Sequence, residues 1–270
     1  MTQPLALITG AASGIGAATS RRLADRGYRV VAVELTDELA HDAAAAVDGL
    51  PVSCDVGDRV ALATLCERIE QEWAPDLDVV IANAGVIRIG EVADQTADDL
   101  DTTLDVNLRA AMQLGRAAVN VFLPRNGGHF LATVSMGGIM AMPGSAAYSA
   151  SKAGLRAFLA SLHAELANTT VRVSGIYPSA VDTPMLRHEA RNGGSPLNFV
   201  GSVLSATDIA DAYERALDTG RLEVYAPYSD SVTSRLTMIR PAIVPRLIAP
   251  LNRLGERGRA KYLATIEEAR

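Results

Sequence analysis

The chain is poor in the residues that would announce a stapled, metal-bound or membrane-embedded protein. Among its 270 residues there are two cysteines, Cys54 and Cys66. Two are too few for a disulfide framework or a zinc site, and both read as small buried hydrophobes; no metal is expected. No run approaches the roughly 20 consecutive apolar residues of a membrane-spanning helix. The opening "MTQPLALITG" carries no basic stretch ahead of its apolar run, and that run is short for a secretion signal. A reducing, cytoplasmic setting is the expectation. Positive charge is not in excess either: 25 Lys and Arg stand against 31 Asp and Glu, a formal net charge of −6. With no arginine-rich or aromatic-basic stripe in the body, nucleic acid is excluded as an expected partner.

What is present is a repeating alternation. At 49% hydrophobic and 21% charged the composition is globular, and the length suits one α/β domain. "LALIT" at 5–9 is a short apolar run, followed by a helix-like 14–26 and then "RVVAVE" at 29–34. A helical "TDELAHDAAAAV", a short "PVSCD", a helical 58–72 and the apolar "LDVVIANAG" at 77–85 repeat the pattern. Further apolar runs follow at 128–135, 171–178 and 221–227, with long helices expected over 97–124 and 147–168. Continuous apolar strands alternating with helices predict a doubly wound α/β parallel sheet of about seven strands, covered on both faces.

The rhythm breaks after residue 227. From Tyr228 to Arg270, Pro241, Pro245 and Pro250 punctuate apolar pieces, and eight basic residues face four acidic ones. This extension carries +4 and leaves −10 on the rest. It is expected to be a helical, basic and amphipathic appendix to a main domain spanning 1–227. Three fates are open to it: packing over the substrate cleft or a neighbouring subunit, lying peripherally on an anionic membrane surface, or remaining a mobile tail.

"TGAASGIG" at 9–16 directly follows the first predicted strand and opens the first helix. Glycines at 10, 14 and 16 permit a tight turn and let backbone N–H groups approach a pyrophosphate; a plain strand–helix junction would use glycine too. Glu34 ends the second strand, where a carboxylate can accept hydrogen bonds from adenosine ribose hydroxyls or can be a solvated strand-end acid. An acid there repels a 2′-phosphate, and neither Ser13 nor Leu35 offers a cation to hold one, so NAD is favoured over NADP. Asp55, past the third strand, accepts from an adenine amino group or serves as a turn aspartate.

Together with "NAG" at 83–85, Asn107 in "DVNL", Ser135 and "YSASK" at 148–152, these residues resemble the short-chain dehydrogenase/reductase family over about residues 5–227. The turn has the T-G-x-x-x-G-x-G form, Tyr148 and Lys152 supply Y-x-x-x-K, and Ser135 precedes the tyrosine by 13 residues. The resemblance implies a Rossmann-type single domain that transfers a hydride between NAD(H) and a secondary alcohol or ketone. Tyr148 would exchange the hydroxyl proton, Lys152 would lower the phenol's pKa and bind the nicotinamide ribose, Ser135 would hold the substrate oxygen, and Asn107 would position a relay water. Cofactor contacts are implied at Gly10, Ser13, Gly14, Ile15, Gly16, Glu34, Asp55, Val56, Asn83, Ala84, Gly85, Tyr148, Lys152, Pro178 and Thr183. Thr183 also reads as a helix cap, and Asn107 as the cap of a helix kink. A homo-oligomer, dimer or tetramer, is the expected assembly.

Two departures from the family pattern stand out. Pro178 is followed by Ser179 where glycine is usual, and the long extension replaces a short glycine-rich end. Energetically, making a phenol of pKa near 10 into a base near neutrality requires about 4 kcal/mol. A unit charge about 4 Å away supplies about that much at an effective dielectric of 20, while burial works against it. Substrate-contacting residues are expected after Ser135 and in the loop from about 179 to 205. Met136, Met140, Met142 and Met185 belong either to core packing or to a pocket for a sizeable apolar substrate of steroid, terpenoid or acyl type. An NADP-dependent carbonyl reductase and a non-catalytic nucleotide-sensing regulator are the competing readings.

Overall fold

The structure is a computed structural model, and it describes residues 3–239, 242 and 244–268. Seven strands form one sheet: β1 Leu5–Thr9, β2 Arg29–Glu34, β3 Leu50–Ser53, β4 Leu77–Ala82, β5 Gly128–Thr133, β6 Val171–Pro178 and β7 Glu223–Ala226. All neighbouring pairs are parallel, in the order β3-β2-β1-β4-β5-β6-β7. Because a parallel sheet carries helices on both faces, its central strands are apolar throughout; every residue of β1 is buried. This is the doubly wound α/β architecture that the alternating runs predict.

Helices α1 (Gly14–Asp25), α2 (Asp37–Ala45) and α8 (Ala206–Thr219) cover one face, closing a core around Ile8, Val30, Ile81, Ile209 and Tyr213. On the other face α3 (Arg59–Gln71), α5 (Ala110–Arg125) and α6 (Ala146–Glu165) bury Leu7, Val80, Leu114, Phe130 and Leu159. Local sequence sets several of the starts. Asp58 accepts from the N–H groups of Val60 and Ala61 to open α3, and Ser205 with Asp208 forms a capping box at α8.

The long helix expected over 97–124 is not one helix. It divides into α4 (Ala97–Leu104), a π-helical turn over Asp105–Arg109, and α5. A single widened turn rotates the register between the two helices, and Asn107 sits within it, buried. The segment after β4 is likewise shorter than the apolar run suggests, because Asn83, Ala84 and Gly85 leave the sheet as a loop.

The extension also differs from a string of proline-limited pieces. Helix α9 covers Tyr228–Ile239, and α10 runs continuously over Val244–Glu268 with Pro250 inside it. Pro245 falls in the first turn, where a missing N–H leaves no intrahelical bond unmade. Arg240, Pro241 and Arg270 lie outside the described residues. Helix α10 lies on the short 3₁₀ turn Pro196–Phe199 through two glycines: a Cβ on Gly255 would stand 2.0 Å from the Pro196 carbonyl oxygen, and one on Gly258 2.0 Å from that of Phe199. The Tyr262 ring stacks 5.4 Å from Phe199, and its hydroxyl donates to Asp182 Oδ1 at 2.5 Å. The same carboxylate takes Nε and Nη2 of Arg187, at 2.7 and 2.8 Å. Of the three fates open to the extension, packing against the chain's own main domain, at the 179–205 segment, is the one this geometry describes.

Gly258→Ala tests the backbone contact because two effects oppose each other. Alanine improves helix propensity by about 1 kcal/mol, while overpacking against a fixed carbonyl costs about 1–3 kcal/mol. A net loss of stability is expected, read as a Tm several degrees lower; a Tm that rises would mean that α10 does not bear on the loop.

Candidate active site

The chain winds outward from β1 to β3, then returns to the far side of β1 to make β4, so the strand order reverses between β1 and β4. A crevice opens at such a switch point, outside the carboxyl ends of the strands. The loops leaving both strands meet there. Asn83 joins them: its backbone N–H donates to Thr9 Oγ1 at 3.1 Å, and its Nδ2 donates to the carbonyls of Thr9 and Gly10. Thr133, at the end of β5, donates to Asn83 Oδ1 at 2.8 Å and ties in the third strand.

The glycine turn over 9–16 is tightly folded. A Cβ on Gly16 would lie 1.8 Å from the Gly10 carbonyl oxygen, so no side chain fits there, and Gly14 adopts φ +51°. Ser13 occupies the N-cap of α1 yet makes no capping hydrogen bond. The first N–H groups of the helix are thus left facing the crevice beside a glycine cradle, an arrangement that fits a phosphate group. Glu34 is pinned beside this turn, accepting from Ala12 N–H at 2.6 Å and from Leu35 N–H at 3.2 Å.

One cleft of about 350 Å³ gathers most of the residues singled out from the sequence. Gly10, Ser13, Gly14, Ile15, Asn83, Ala84, Gly85, Pro178 and Thr183 line it together with Ser135, Tyr148 and Lys152. Gly16 lies beneath the turn, while Glu34, Asp55, Val56 and Asn107 do not line the cleft. Asp55 forms an Asx turn with Gly57 N–H at 2.8 Å, and Val56 packs into the core. Thr183 caps α7 (Pro184–Arg191) through Leu186 N–H and lines the cleft as well. Ser179, in place of the usual glycine, donates its N–H to the Ala226 carbonyl and has no positive φ. Of the four methionines, Met142 and Met185 line the cleft and Met136 belongs to the core.

Helix α6 delivers Tyr148 and Lys152 one turn apart. Lys152 is 4% exposed, and its Nζ donates to the Thr133 carbonyl at 2.8 Å. Burial lowers its pKa to about 8. Burial pushes the Tyr148 phenol up to about 12; a hydrogen bond with Ser135 pulls it down, and the charge of Glu189 adds to the rise. Lys152 Nζ stands 5.8 Å from the Tyr148 ring centroid. The expected depression of the phenol by lysine is therefore not the balance found in the protein alone: desolvation wins.

Asn107 sits behind the cleft. Its Oδ1 accepts from Val86 N–H at 2.8 Å, and its Nδ2 donates to the Val86 carbonyl and to Ser151 Oγ. Both side-chain donors are committed to protein, so its amide holds the loop after β4. Ser151, Thr133, Glu189 and Asn198 complete the surroundings and were not among the expected residues. Only Glu189 and Asn198 had a signal, since both fall in the 179–205 loop.

With fold and cleft described, comparison with known proteins gives the family. The short chain dehydrogenase family model matches residues 4–193. The chain is 37% identical over 235 residues to 1-deoxy-11-beta-hydroxypentalenate dehydrogenase of Streptomyces avermitilis, covering 82% of this chain and 83% of that one. Among solved structures it resembles a short-chain dehydrogenase from Sphingobium yanoikuyae in complex with NADPH, with TM-score 0.76, 24% identity and coverage of 90% and 95%. It also resembles the bulky-bulky ketone specific alcohol dehydrogenase from Comamonas testosteroni, with TM-score 0.73, 24% identity and coverage of 91% and 95%. The chain belongs to the short-chain dehydrogenase/reductase family of oxidoreductases.

A buried ammonium is a burden on the fold, and Lys152→Met should make that measurable. A depression from 10.5 to about 8 corresponds to a penalty on the order of 3 kcal/mol at pH 7. The variant is expected to unfold at higher denaturant than the wild type there, while losing turnover. Below about pH 8 the amine is protonated in both states and the penalty is complete; it fades as pH rises from about 8 to 10.5, where only the unfolded chain binds the proton. The advantage of the variant should shrink over that window, and a variant less stable at pH 7 would contradict the reading.

Proposed function

We propose that this protein interconverts a secondary alcohol and a ketone on a sizeable apolar body, using NAD(H). The observation that carries the reading is the meeting of Ser135, Tyr148 and Lys152 in one cleft with the uncapped glycine turn. A bound nicotinamide dinucleotide supplies or takes the reducing equivalent and, when oxidised, brings a positive charge. Ser135 holds the substrate oxygen beside Tyr148. Because the phenol keeps its proton through neutral pH, it is ready to give that proton to the oxygen of a ketone as charge develops there.

Alcohol oxidation makes a heavier demand on the same residue. From about 12, the phenol must fall some five units, or about 7 kcal/mol, to act as a base near neutrality. A unit charge about 6 Å away supplies about 3 kcal/mol at an effective dielectric of 20. The chain's own electrostatics thus keep the resting phenol protonated, and the oxidised cofactor's charge is needed to bring it to the base form. Met142, Met185, Leu186 and Ile87 in the cleft wall support an apolar substrate body. The printed name of the Streptomyces relative, a hydroxypentalenate dehydrogenase, agrees with a hydroxyl or carbonyl as the reacting group.

Glu34 supports NAD. Its carboxylate is held at the turn by the Ala12 N–H, and like charges there would repel a 2′-phosphate. The rival reading, an NADP-dependent carbonyl reductase, needs a cation there. A nucleotide sensor without chemistry has no use for a half-buried phenol beside a serine. Assembly as a homo-oligomer is part of the same reading by family membership. The extension from 228 to 270 acts here as a second structural unit laid on the main domain, a reading supported by its packing on Pro196–Phe199. Among the described residues no helix is long and apolar enough to cross a membrane.

Two measurements test the proposal. Tyr148→Phe should reduce kcat at least a hundredfold with the cofactor dissociation constant nearly unchanged, since the ring stays and only the proton-carrying oxygen goes; a variant retaining a tenth of wild-type kcat would remove the acid/base role. Initial rates with both cofactors should favour NAD(H) by about tenfold or more in kcat/KM, a carboxylate–phosphate clash costing on the order of 1.4 kcal/mol. Equal values would favour the NADP reading, and Glu34→Ser should move the ratio towards NADP.

A further inference from the structure

The cleft that Tyr148 lines also contains an acid that the reaction does not require. Glu189 sits near the end of α7, 6% exposed, and lines the cleft beside Leu186 and Met185. Its Oε2 accepts one hydrogen bond, from Asn198 Nδ2 at 3.0 Å, and Asn198 lines the same cleft. Burial raises this carboxyl to about 7, against the pull of the Asn198 bond.

The placement has two costs. Desolvating a carboxyl is unfavourable in itself, and its charge pushes the Tyr148 phenol further up, which opposes alcohol oxidation. If the role were only to tie α7 to the turn at 196–199, a neutral glutamine could accept the same bond from Asn198 without either cost. A carboxyl oxygen facing a largely apolar cleft is instead suited to a ligand group that donates a hydrogen bond, because leaving a buried acceptor unmatched is what penalises the wrong substrate.

We propose that Glu189 is a specificity residue, and that the substrate carries a second hydroxyl, remote from its reacting carbon, which donates to this carboxyl while the apolar wall holds the body between. The inference rests on the oxidoreductase reading of the same cleft. It narrows the substrate class to hydroxylated apolar ketones and the corresponding diols, with Tyr148 and Ser135 at the reacting carbon and Glu189 with Asn198 at the second hydroxyl.

The test uses matched ketones: benzylacetone against its para-hydroxylated form, and cyclohexanone against the ring hydroxylated opposite the carbonyl. Wild type, Glu189→Gln and Glu189→Leu are compared by kcat/KM with reduced cofactor and by the Tm shift that each ketone gives the cofactor-saturated protein. Measured above pH 7, where a carboxyl raised to about 7 is mostly ionised, wild type should favour the hydroxylated member of at least one pair by about tenfold or more, as expected for a hydrogen bond to a charged group. Glu189→Gln keeps the Asn198 bond and should retain only a few-fold preference; Glu189→Leu should turn the preference towards the plain ketone. Equal rates and equal shifts within both pairs for wild type overturn the proposal while leaving the oxidoreductase reading in place. A preference that persists unchanged in both variants also overturns it. A Glu189-dependent Tm shift without turnover would sustain the recognition role and remove the proposed reaction instead.

Discussion

The hydrogen bond from Lys152 Nζ to the Thr133 carbonyl sets the geometry on which the cleft depends. It ties the buried start of α6 to the end of β5, and Thr133 in turn reaches Asn83, which holds the glycine turn after β1. Three strand ends and one helix are thereby fixed relative to one another through three side chains. The ammonium is desolvated in return, and the folded state tolerates it only because the flanking sheet cores are large and apolar. Stability is conceded at the one place where a cation is needed next to a phenol, which is the usual direction of the exchange between stability and function.

Much of this was legible in the sequence because it is local. Strand runs at 5–9, 29–34 and 171–178, the glycine turn and the one-turn spacing of Tyr148 and Lys152 are fixed by residues next to one another. What was not legible depends on contacts between distant segments. The π-helical turn at Asn107 arises because that amide binds Val86 and Ser151, 21 and 44 residues away. Pro250 suggests a break, yet α10 continues through it because packing on 196–199 outweighs one lost backbone bond. The direction of the Tyr148 shift is decided by how deeply α6 is buried, a quantity that spacing does not carry.

The cleft is divided between two kinds of structure. The cofactor side is built from strand ends and short loops that the sheet holds rigidly. The opposite side comes from α7 and the turn at 196–199, which have little core of their own: Ala180, Leu186, Ala190 and Phe199, completed by Tyr262 and Leu263 from α10. A cleft wall that borrows part of its core from the far end of the chain can vary in shape without disturbing the sheet. Its two acids serve different purposes: Asp182 binds Arg187 and Tyr262 to close the wall, and Glu189 opens onto the cleft.

The two glycines of α10 also limit how that wall can move. Carbonyl oxygens of Pro196 and Phe199 occupy the space that side chains would fill at positions 255 and 258. A slide of the helix by one residue would bring Glu256 and Arg259, or Leu254 and Arg257, onto those oxygens. The contact therefore behaves as a detent: the helix can hinge away from the loop and return to the same seat, but shear along it is blocked.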